Sequence, residues 1–207
     1  MLEELGLPYE LKMLPFPPRV TERSYLAVNP LGTVPAFFDG DVRMTESAAI
    51  CQYLASRVGD TPLNVGPNEA DYAAYLNYLH FGEATLTFPQ TLVLRYAYFE
   101  TADRQLPQVA DDYTKWFLAR LRSLDSVLTK HDYLAADRFT AADISVGYAL
   151  LLAEHLDLKP RFSSAVLAYW ERLCLRDGFQ RAMDIQEKAA LAQGVSPVPA
   201  PGVRPAP

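Results

Sequence analysis

Hydrophobic positions are spaced differently in the two parts of this chain. Up to about residue 58 the apolar runs are short, and residues typical of turns separate them. This pattern predicts short strands at Tyr9–Leu14, Val34–Phe38 and Val42–Met44, the last two joined by an Asp-Gly turn. A short irregular helix is predicted over Thr21–Val28 and a regular one from Thr45 to about Val58.

Beyond about residue 70 the apolar residues recur at helical spacing, which predicts helices only. The expected helices are about Asp71–Tyr98, Leu106–Lys130, Thr140–His155, Ser163–Arg176 and Phe179–Ala192. Pro89 is expected to kink or break the first of them, because proline cannot donate a helical hydrogen bond. The helix over Thr140–His155 is apolar on nearly every side, which is typical of a central, buried helix.

Glycine, proline and asparagine are concentrated in residues 59–68, which predicts an interdomain linker. The pattern therefore predicts an α/β domain over residues 1–60 and an all-helical domain over residues 69–192. The remaining residues, 193–207, are rich in proline and are expected to be disordered.

The first six residues resemble the end of a helix more than its beginning. Gly6 stands where a left-handed helix cap would fall, and Pro8 follows as a stop signal. No helix start precedes them, so we expect Met1 to be an internal methionine of a protein that begins upstream.

The composition is that of a globular protein, because half of the 207 residues are hydrophobic and 21% are charged. A net charge of −6 with scattered basic residues argues against nucleic acid or anionic membranes as partners. Cys51 and Cys174 lie in apolar helical patterns and are interpreted as reduced core thiols, and no grouping of residues predicts a metal site. No signal peptide is recognised, so the expected compartment is the cytoplasm.

The Val34-Pro35 pair allows two interpretations. It can be an ordinary proline at the start of an edge strand. Alternatively the peptide bond before Pro35 is cis, which turns the Val34 N–H and C=O outward, where they can pair with an extended peptide ligand.

Thr45-Glu-Ser47 opens a predicted helix and also allows two interpretations. As a cap, Thr45 accepts a backbone hydrogen bond and Glu46 complements the helix dipole. As a binding site, the backbone N–H and hydroxyl of Ser47 hold a carboxylate and the Glu46 carboxylate holds an ammonium group. An α-amino acid terminus presents both of these groups.

The segment Phe139-Thr-Ala-Ala-Asp-Ile144 carries a helix start signal. Thr140 and Asp143 have the spacing of a capping box, which begins the buried helix. We assign this motif a structural role and no catalytic one.

The ordered set of motifs resembles the glutathione transferase superfamily, in its cytosolic, bacterial-type form. The set comprises Asn29-Pro-Leu-Gly-Thr-Val-Pro35, a hairpin, Thr45-Glu-Ser-Ala-Ala-Ile-Cys-Gln-Tyr-Leu54 and the helical segment from Phe139 to Ile144. The likeness runs from Met1 to about Met183. It implies a thioredoxin-like domain followed by an all-helical domain.

The resemblance also implies a ligand and the residues that hold it. The ligand is glutathione, used as a co-substrate. Val34, before a cis Pro35, pairs with its cysteinyl backbone, while Glu46 and Ser47 hold its γ-glutamyl end. Arg19 and Arg23 are candidates for the glycyl carboxylate. A homodimer built on the helices at about Thr45–Val58 and Asp71–Tyr98 is implied as well.

The catalytic residue of the resembled family follows its first strand, and no residue here matches that position. The segment would hold a strand, a loop and the start of the first helix, and without the strand Tyr9–Leu14 and Val34–Phe38 lose backbone partners. Tyr9 lies past the helix end and is not promoted to the role. We expect weak folding and little activity from the 207-residue form.

Two functions follow from the resemblance. The first is an enzyme in which glutathione thiolate attacks an electrophilic small molecule, as in detoxification. The second is a non-catalytic module of the same fold, used for binding or assembly. The aromatic stretch from Tyr72 to Phe99 either lines the electrophile's cleft or serves core and dimer packing.

Overall fold

The computed structural model describes residues 1–198, so the last part of the predicted tail, residues 199–207, lies outside the described residues. Strands occur only in the first part of the described chain, together with three short helical elements and one longer helix. This part comprises α1 (Leu2–Leu5), α2 (Pro18–Thr21), a 3₁₀ turn (Arg23–Ala27), β1 (Phe37–Asp39), β2 (Val42–Met44) and α3 (Ser47–Arg57).

The remaining described residues are helical, as predicted. They form α4 (Tyr72–His80), a π-helical segment (Phe81–Thr87), α5 (Phe88–Leu94), a second π-helical segment (Arg95–Phe99), α6 (Pro107–Leu121), a 3₁₀ turn (Arg122–Leu124), α7 (Asp125–Leu128), α8 (Ala141–His155), a 3₁₀ turn (Lys159–Arg161), α9 (Ser164–Cys174) and α10 (Asp177–Ala192). None of the described helices is both long and apolar enough to cross a membrane.

The predicted hairpin forms, but its first strand is shorter than expected. β1 and β2 are antiparallel, with Phe37 opposite Met44 and Asp39 opposite Val42. Gly40 in the turn has a φ of +58°, a left-handed conformation that glycine adopts without a side-chain clash. Residues 34–36 lie before the ladder begins, because no described strand pairs with them.

The predicted strand over Tyr9–Leu14 is wrong for the described chain. The sheet of the described residues contains β1 and β2 only, so this segment has no strand beside it. The side chain of Gln193 bonds its backbone instead: Met13 N–H donates to Gln193 Oε1 at 2.9 Å, and Gln193 Nε2 donates to Leu11 O at 2.8 Å. Gln193, placed within the expected disordered tail, is therefore hydrogen-bonded.

Pro89 does not break the long helix, because helical structure continues on both sides of it. It occupies the beginning of α5, where its missing N–H is tolerated. The π-helical segment before it widens the helix, and Thr87 Oγ1 donates to Gly82 O at 2.8 Å within that segment. The chain therefore continues from α4 into α5 with a changed hydrogen-bonding pattern.

Helix α8 lies at the centre of the helical part, as its apolar sequence predicts. Val146, Ala149 and Leu150 are fully buried, and α8 packs against α3, α4, α9 and the first π-helical segment. The predicted capping box is present, since Thr140 N–H donates to Asp143 Oδ2 at 2.8 Å.

The predicted linker is bound to the start of α8. Ala141 N–H donates to Leu63 O at 2.9 Å. Arg138 donates to Pro62 O at 3.1 Å and to Asn64 O at 2.9 Å, and it forms an ion pair with Glu69. These bonds fix the path between α3 and α4, so α3 has a defined position relative to the helical part.

Candidate functional site

The hairpin brings the four predicted binding residues to one end of the sheet. Val34 and Pro35 precede β1, and Glu46 and Ser47 follow β2, so the antiparallel pairing puts both segments beyond the same end of the ladder. The Val34–Pro35 peptide bond is cis. Val34 and Pro35 are exposed, so their backbone is accessible to a ligand.

A buried asparagine organises the loop before Val34. Asn29 is completely buried, and its Nδ2 donates to Thr33 O at 2.8 Å and to Thr33 Oγ1 at 3.1 Å. Its Oδ1 accepts a bond from Leu31 N–H at 3.1 Å. Tyr25 donates its hydroxyl proton to Thr33 O at 2.6 Å. Two donors therefore fix the carbonyl of the residue directly before Val34, and this fixes the orientation of the Val34 amide.

From the sequence, Asn29 is noted only as the first residue of the motif that runs to Pro35, directly after the predicted irregular helix. Its position before Pro30 was the available signal, since an asparagine before proline often begins a turn. The two hydrogen bonds to Thr33 depend on how the following loop folds back, which no local pattern specifies.

A glycine allows the same loop to pack closely. Gly32 has a φ of +64°, and a Cβ at this position would lie 2.7 Å from the Cβ of Arg19. Only glycine fits there without displacing the loop. Arg19 thus lies beside the loop that leads to Val34. Arg23 is exposed, and no described contact places it near the site.

Helix α3 begins two residues later than predicted, and Thr45 is not its cap. Glu46 is the N-cap residue, and its side chain accepts no bond from the helix backbone. Thr45 Oγ1 instead donates to Glu46 Oε1 at 3.4 Å. The first-turn N–H of Ala48 donates to Glu83 Oε2 at 3.3 Å.

The start of α3 retains free donors. Within residues 1–198 neither the backbone N–H nor the hydroxyl of Ser47 has a hydrogen-bond partner, and Ser47 is half-buried. Free N–H groups at a helix start attract anions, because they add to the positive end of the helix dipole. These donors are therefore available to a ligand, as the binding-site interpretation of Ser47 requires.

Glu46 also faces an open cleft of about 500 Å³. The cleft lies between the loop after the first 3₁₀ turn and the β2–α3 connection. Its lining comprises Asn29, Pro30, Leu31, Arg43, Met44, Thr45, Glu46 and Ala49. Of the predicted binding residues, only Glu46 lines it, whereas Val34, Pro35 and Ser47 lie outside its lining.

Tyr9 is engaged away from these residues. Its hydroxyl donates to Glu3 Oε1 at 2.9 Å. Burial, together with this bond, raises the pKa of Tyr9 to about 12. The hydroxyl proton of Tyr9 is therefore donated to Glu3.

Both cysteines are free thiols, and neither suits a nucleophilic role. Burial raises the pKa of Cys51, which lies on α3. Burial also raises the pKa of Cys174, to about 11. Because the thiolate is the nucleophilic form of cysteine, a raised pKa makes both side chains unreactive.

The aromatic stretch divides into two groups. Tyr75 and Leu79 of α4 are fully buried in the core. Phe99, at the end of the second π-helical segment, is partly exposed and packs against Phe16, with ring centroids 5.7 Å apart. Packing therefore accounts for Tyr75, whereas Phe16 and Phe99 form an accessible aromatic surface.

Comparison with known proteins identifies the family. The model for the glutathione S-transferase N-terminal domain matches residues 1–57. Glutathione S-transferase 3 of Schizosaccharomyces pombe is 30% identical over 175 residues, covering 77% of this chain and 71% of that protein. Glutathione S-transferase 3 of Zea mays is 28% identical over 200 residues, covering 88% and 85% of the two chains.

A solved structure agrees with these relatives. The glutathione transferase URE2P6 from Phanerochaete chrysosporium, in complex with oxidized glutathione, is 28% identical with a TM-score of 0.75, covering 91% of this chain and 89% of that one. Its fold agrees with the family match and with the site geometry described above. This chain therefore belongs to the glutathione S-transferase family of enzymes and has the fold of that family, a thioredoxin-like domain followed by an all-helical domain.

Proposed function

We propose that this protein binds glutathione through Val34, Pro35, Glu46 and Ser47 and transfers its thiolate to an electrophilic small molecule. The observation that carries the proposal is that exposed Val34 and the unpaired start of α3 flank the same end of the hairpin. The glutathione complex of URE2P6 supports the choice of ligand.

Each part of the proposed site matches a part of the tripeptide. The outward-facing N–H and C=O of Val34 pair with the cysteinyl backbone as a short antiparallel strand would. The Ser47 N–H and hydroxyl hold the γ-glutamyl carboxylate at the positive end of α3. The Glu46 carboxylate holds the ammonium group of the same residue. Arg19, beside Gly32, is the better placed of the two candidates for the glycyl carboxylate.

The chemistry requires the glutathione sulfur as a thiolate, since the thiolate is the nucleophile. Holding the tripeptide at both its backbone and its γ-glutamyl end places the sulfur in a fixed position. This lowers the entropic cost of reaching the electrophile. None of residues 1–198 is assigned to the sulfur contact. The aromatic surface of Phe16 and Phe99 provides apolar area for an electrophile.

We extend the proposal to the assembly and setting of the protein. The two domains are proposed to span residues 1–60 and 69–192. A homodimer is proposed, built on α3 and on the helical run from Tyr72 to Phe99, with a cytoplasmic location and a role in detoxification. Family resemblance supports each of these statements, and the net charge of −6 supports the proposed lack of nucleic acid and membrane partners.

Substitution of Ser47 tests the site directly. Ser47→Ala should weaken glutathione binding by about 1–3 kcal/mol, roughly 5- to 150-fold in Kd, because a hydrogen bond to a charged group is lost. Isothermal titration with glutathione measures this change. Ser56→Ala is the matched control on the same helix, since the Ser56 hydroxyl bonds only Gln52 O within the described chain.

The two variants and the parent decide between the functions. An unchanged Kd in Ser47→Ala removes the Ser47 hydroxyl from the site, and a parent that takes up no glutathione refutes the proposal as a whole. Conjugation of 1-chloro-2,4-dinitrobenzene measures turnover. Binding without turnover across several classes of electrophile would favour the non-catalytic module.

A further inference from the structure

A carboxylate from the helical part reaches the start of α3. Glu83 lies in the first π-helical segment, and its Oε2 accepts the hydrogen bond from Ala48 N–H at 3.3 Å, across 35 residues of sequence. Ala48 is only 2% exposed, so little water is available to replace this bond. Glu83 was not among the residues singled out from the sequence.

The position of Glu83 is set by close packing on α8. A Cβ on the preceding residue, Gly82, would lie 2.4 Å from Ser145 Oγ and 2.6 Å from Ser145 O, so only glycine allows the two backbones this near. Ser145 Oγ in turn donates to Leu79 O at 2.7 Å. The segment that carries Glu83 is thus fixed against the central helix, and it holds the carboxylate at a defined place.

The bond to Ala48 affects the neighbouring donor. The first N–H groups of a helix have no partner within it, and a carboxylate near them is favoured by the helix dipole. Glu83 uses the N–H of Ala48 and leaves that of Ser47 free. It therefore orients the first turn of α3 without occupying the proposed anion contact.

We infer that Glu83 is a positioning residue for glutathione binding: through Ala48 it sets the direction in which the Ser47 N–H points. This inference rests on the proposed function of Ser47. The helical part thus contributes to the affinity for glutathione through Glu83, although Glu83 need not touch the ligand.

Three variants of the full chain separate hydrogen bonding from charge. Glu83→Ala removes the acceptor and should raise the Kd for glutathione about 5- to 20-fold. Glu83→Gln keeps an oxygen at the same reach and should restore most of the affinity. Glu83→Asp keeps the charge but is one methylene shorter, so it should remain weak. Titration calorimetry gives the Kd of each variant.

A structural control distinguishes positioning from general stability. Glu100 binds Arg95 and Arg104 at the end of the second π-helical segment. Glu100→Ala should lower the Tm and leave the Kd unchanged, whereas Glu83→Ala should change both. If both alanine variants lower the Tm and neither alters the Kd, Glu83 has only a structural role and the inference is overturned.

The order of the conservative variants decides the case even where Glu83→Ala fails to fold. Suppose that Glu83→Asp binds glutathione with a Kd close to that of the parent and that Glu83→Gln binds it weakly. Charge and not the hydrogen bond would then matter, and the inference would be refuted. Amide hydrogen exchange of residues 47–50 without ligand gives an independent readout. Exchange should be faster in Glu83→Asp than in Glu83→Gln, and equal rates would refute the positioning role. An absence of glutathione uptake by the parent would instead refute the proposed function.

Discussion

Asn29 fixes the loop before Val34 with one buried side chain. Both ends of its amide are used, since Nδ2 donates to Thr33 and Oδ1 accepts from Leu31 N–H. A buried amide that meets its hydrogen-bonding capacity specifies a single conformation, because any other arrangement leaves polar groups unpaired. The loop geometry needed at Val34 thus depends on a side chain that is completely buried.

Replacing Asn29 should therefore affect both stability and binding. Asn29→Ala should lower the free energy of unfolding by about 2–3 kcal/mol, because a completely buried side chain loses its hydrogen bonds to Leu31 and Thr33. Asn29→Asp should cost at least as much, because a carboxylate cannot donate to Thr33 O. Urea unfolding measures the change. Asn68→Ala is the control, since Asn68 is exposed; equal stability of the two alanine variants would contradict this role.

Local chemistry was more predictable from sequence than the contacts of single residues. The Asp-Gly turn and the left-handed cap at Gly6 both depend on residues adjacent in sequence, and both are present. Glu83 was missed because its partner Ala48 is 35 residues away in sequence. Asn29 was missed because its bonds to Leu31 and Thr33 depend on how the loop folds back. The binding roles of Val34, Pro35, Glu46 and Ser47 came from the family resemblance, and they stay predictions.

At the scale of an element, the start of α8 likewise combines a feature that is predictable from local sequence with contacts that are not. The capping box was predictable because Thr140 and Asp143 are three residues apart. Asp143 also accepts bonds from Leu134 N–H at 3.1 Å and from the Tyr169 hydroxyl at 2.8 Å, which the local pattern does not reveal. One carboxylate thus joins α8 to the preceding loop and to α9.

These additional bonds predict a large effect of substitution. Asp143→Ala should lower the free energy of unfolding by about 3–5 kcal/mol, because buried donors lose their acceptor. Ser163→Ala, at the start of α9, removes an acceptor for Val166 N–H and should cost only about 1–2 kcal/mol. Chemical denaturation compares them, and similar losses would show that the contacts to Leu134 and Tyr169 add nothing.

Elements that depend on distant partners were predicted less well. A strand at Tyr9–Leu14 requires a neighbouring strand, and the described sheet supplies none. The break expected at Pro89 assumed a regular α-helix, whereas the π-helical segment before α5 accommodates the proline. Hydrophobic spacing gives the type of an element but not the partners of its backbone.

At the scale of the whole molecule, ion pairs join the two ends of the described chain. Arg176 binds both carboxylate oxygens of Glu4 at 2.8 Å, and Arg181 binds Glu3 at 3.0 Å. The Arg176 guanidinium also lies 3.5 Å from the ring centroid of Phe139. Helix α1 is thereby held against the helical part, although it belongs to the predicted first domain.

Acid should weaken the packing of α8 against α9 through Glu154. Burial alone would raise the pKa of this carboxyl group, but the hydrogen bonds from Lys159 and Trp170 outweigh it, and the pKa is lowered from 4.5. A carboxylate with a lowered pKa in the folded state stabilises the fold above its unfolded pKa. This contribution is lost as the pH falls through the lower folded value.

Glu154→Gln should therefore reduce the loss of stability on acidification below about pH 4.5. Denaturation between pH 6 and pH 3, followed by tryptophan fluorescence, measures the slope. Glu187→Gln, at an exposed position on α10, should keep the slope of the parent. Identical slopes for all three proteins would exclude Glu154 as a contributor.

The two hydrogen bonds of the Gln193 side-chain amide to Leu11 and Met13 have a practical consequence for protein engineering. Gln193 and Met13 are 180 residues apart in sequence, so a truncation at the C-terminal end of α10 also affects the segment around Met13. A truncation designed to remove only the proline-rich end should therefore keep Gln193 and delete only residues that follow it. Removing that glutamine would expose backbone groups of Leu11 and Met13 near the opposite terminus and create a new target for proteases there.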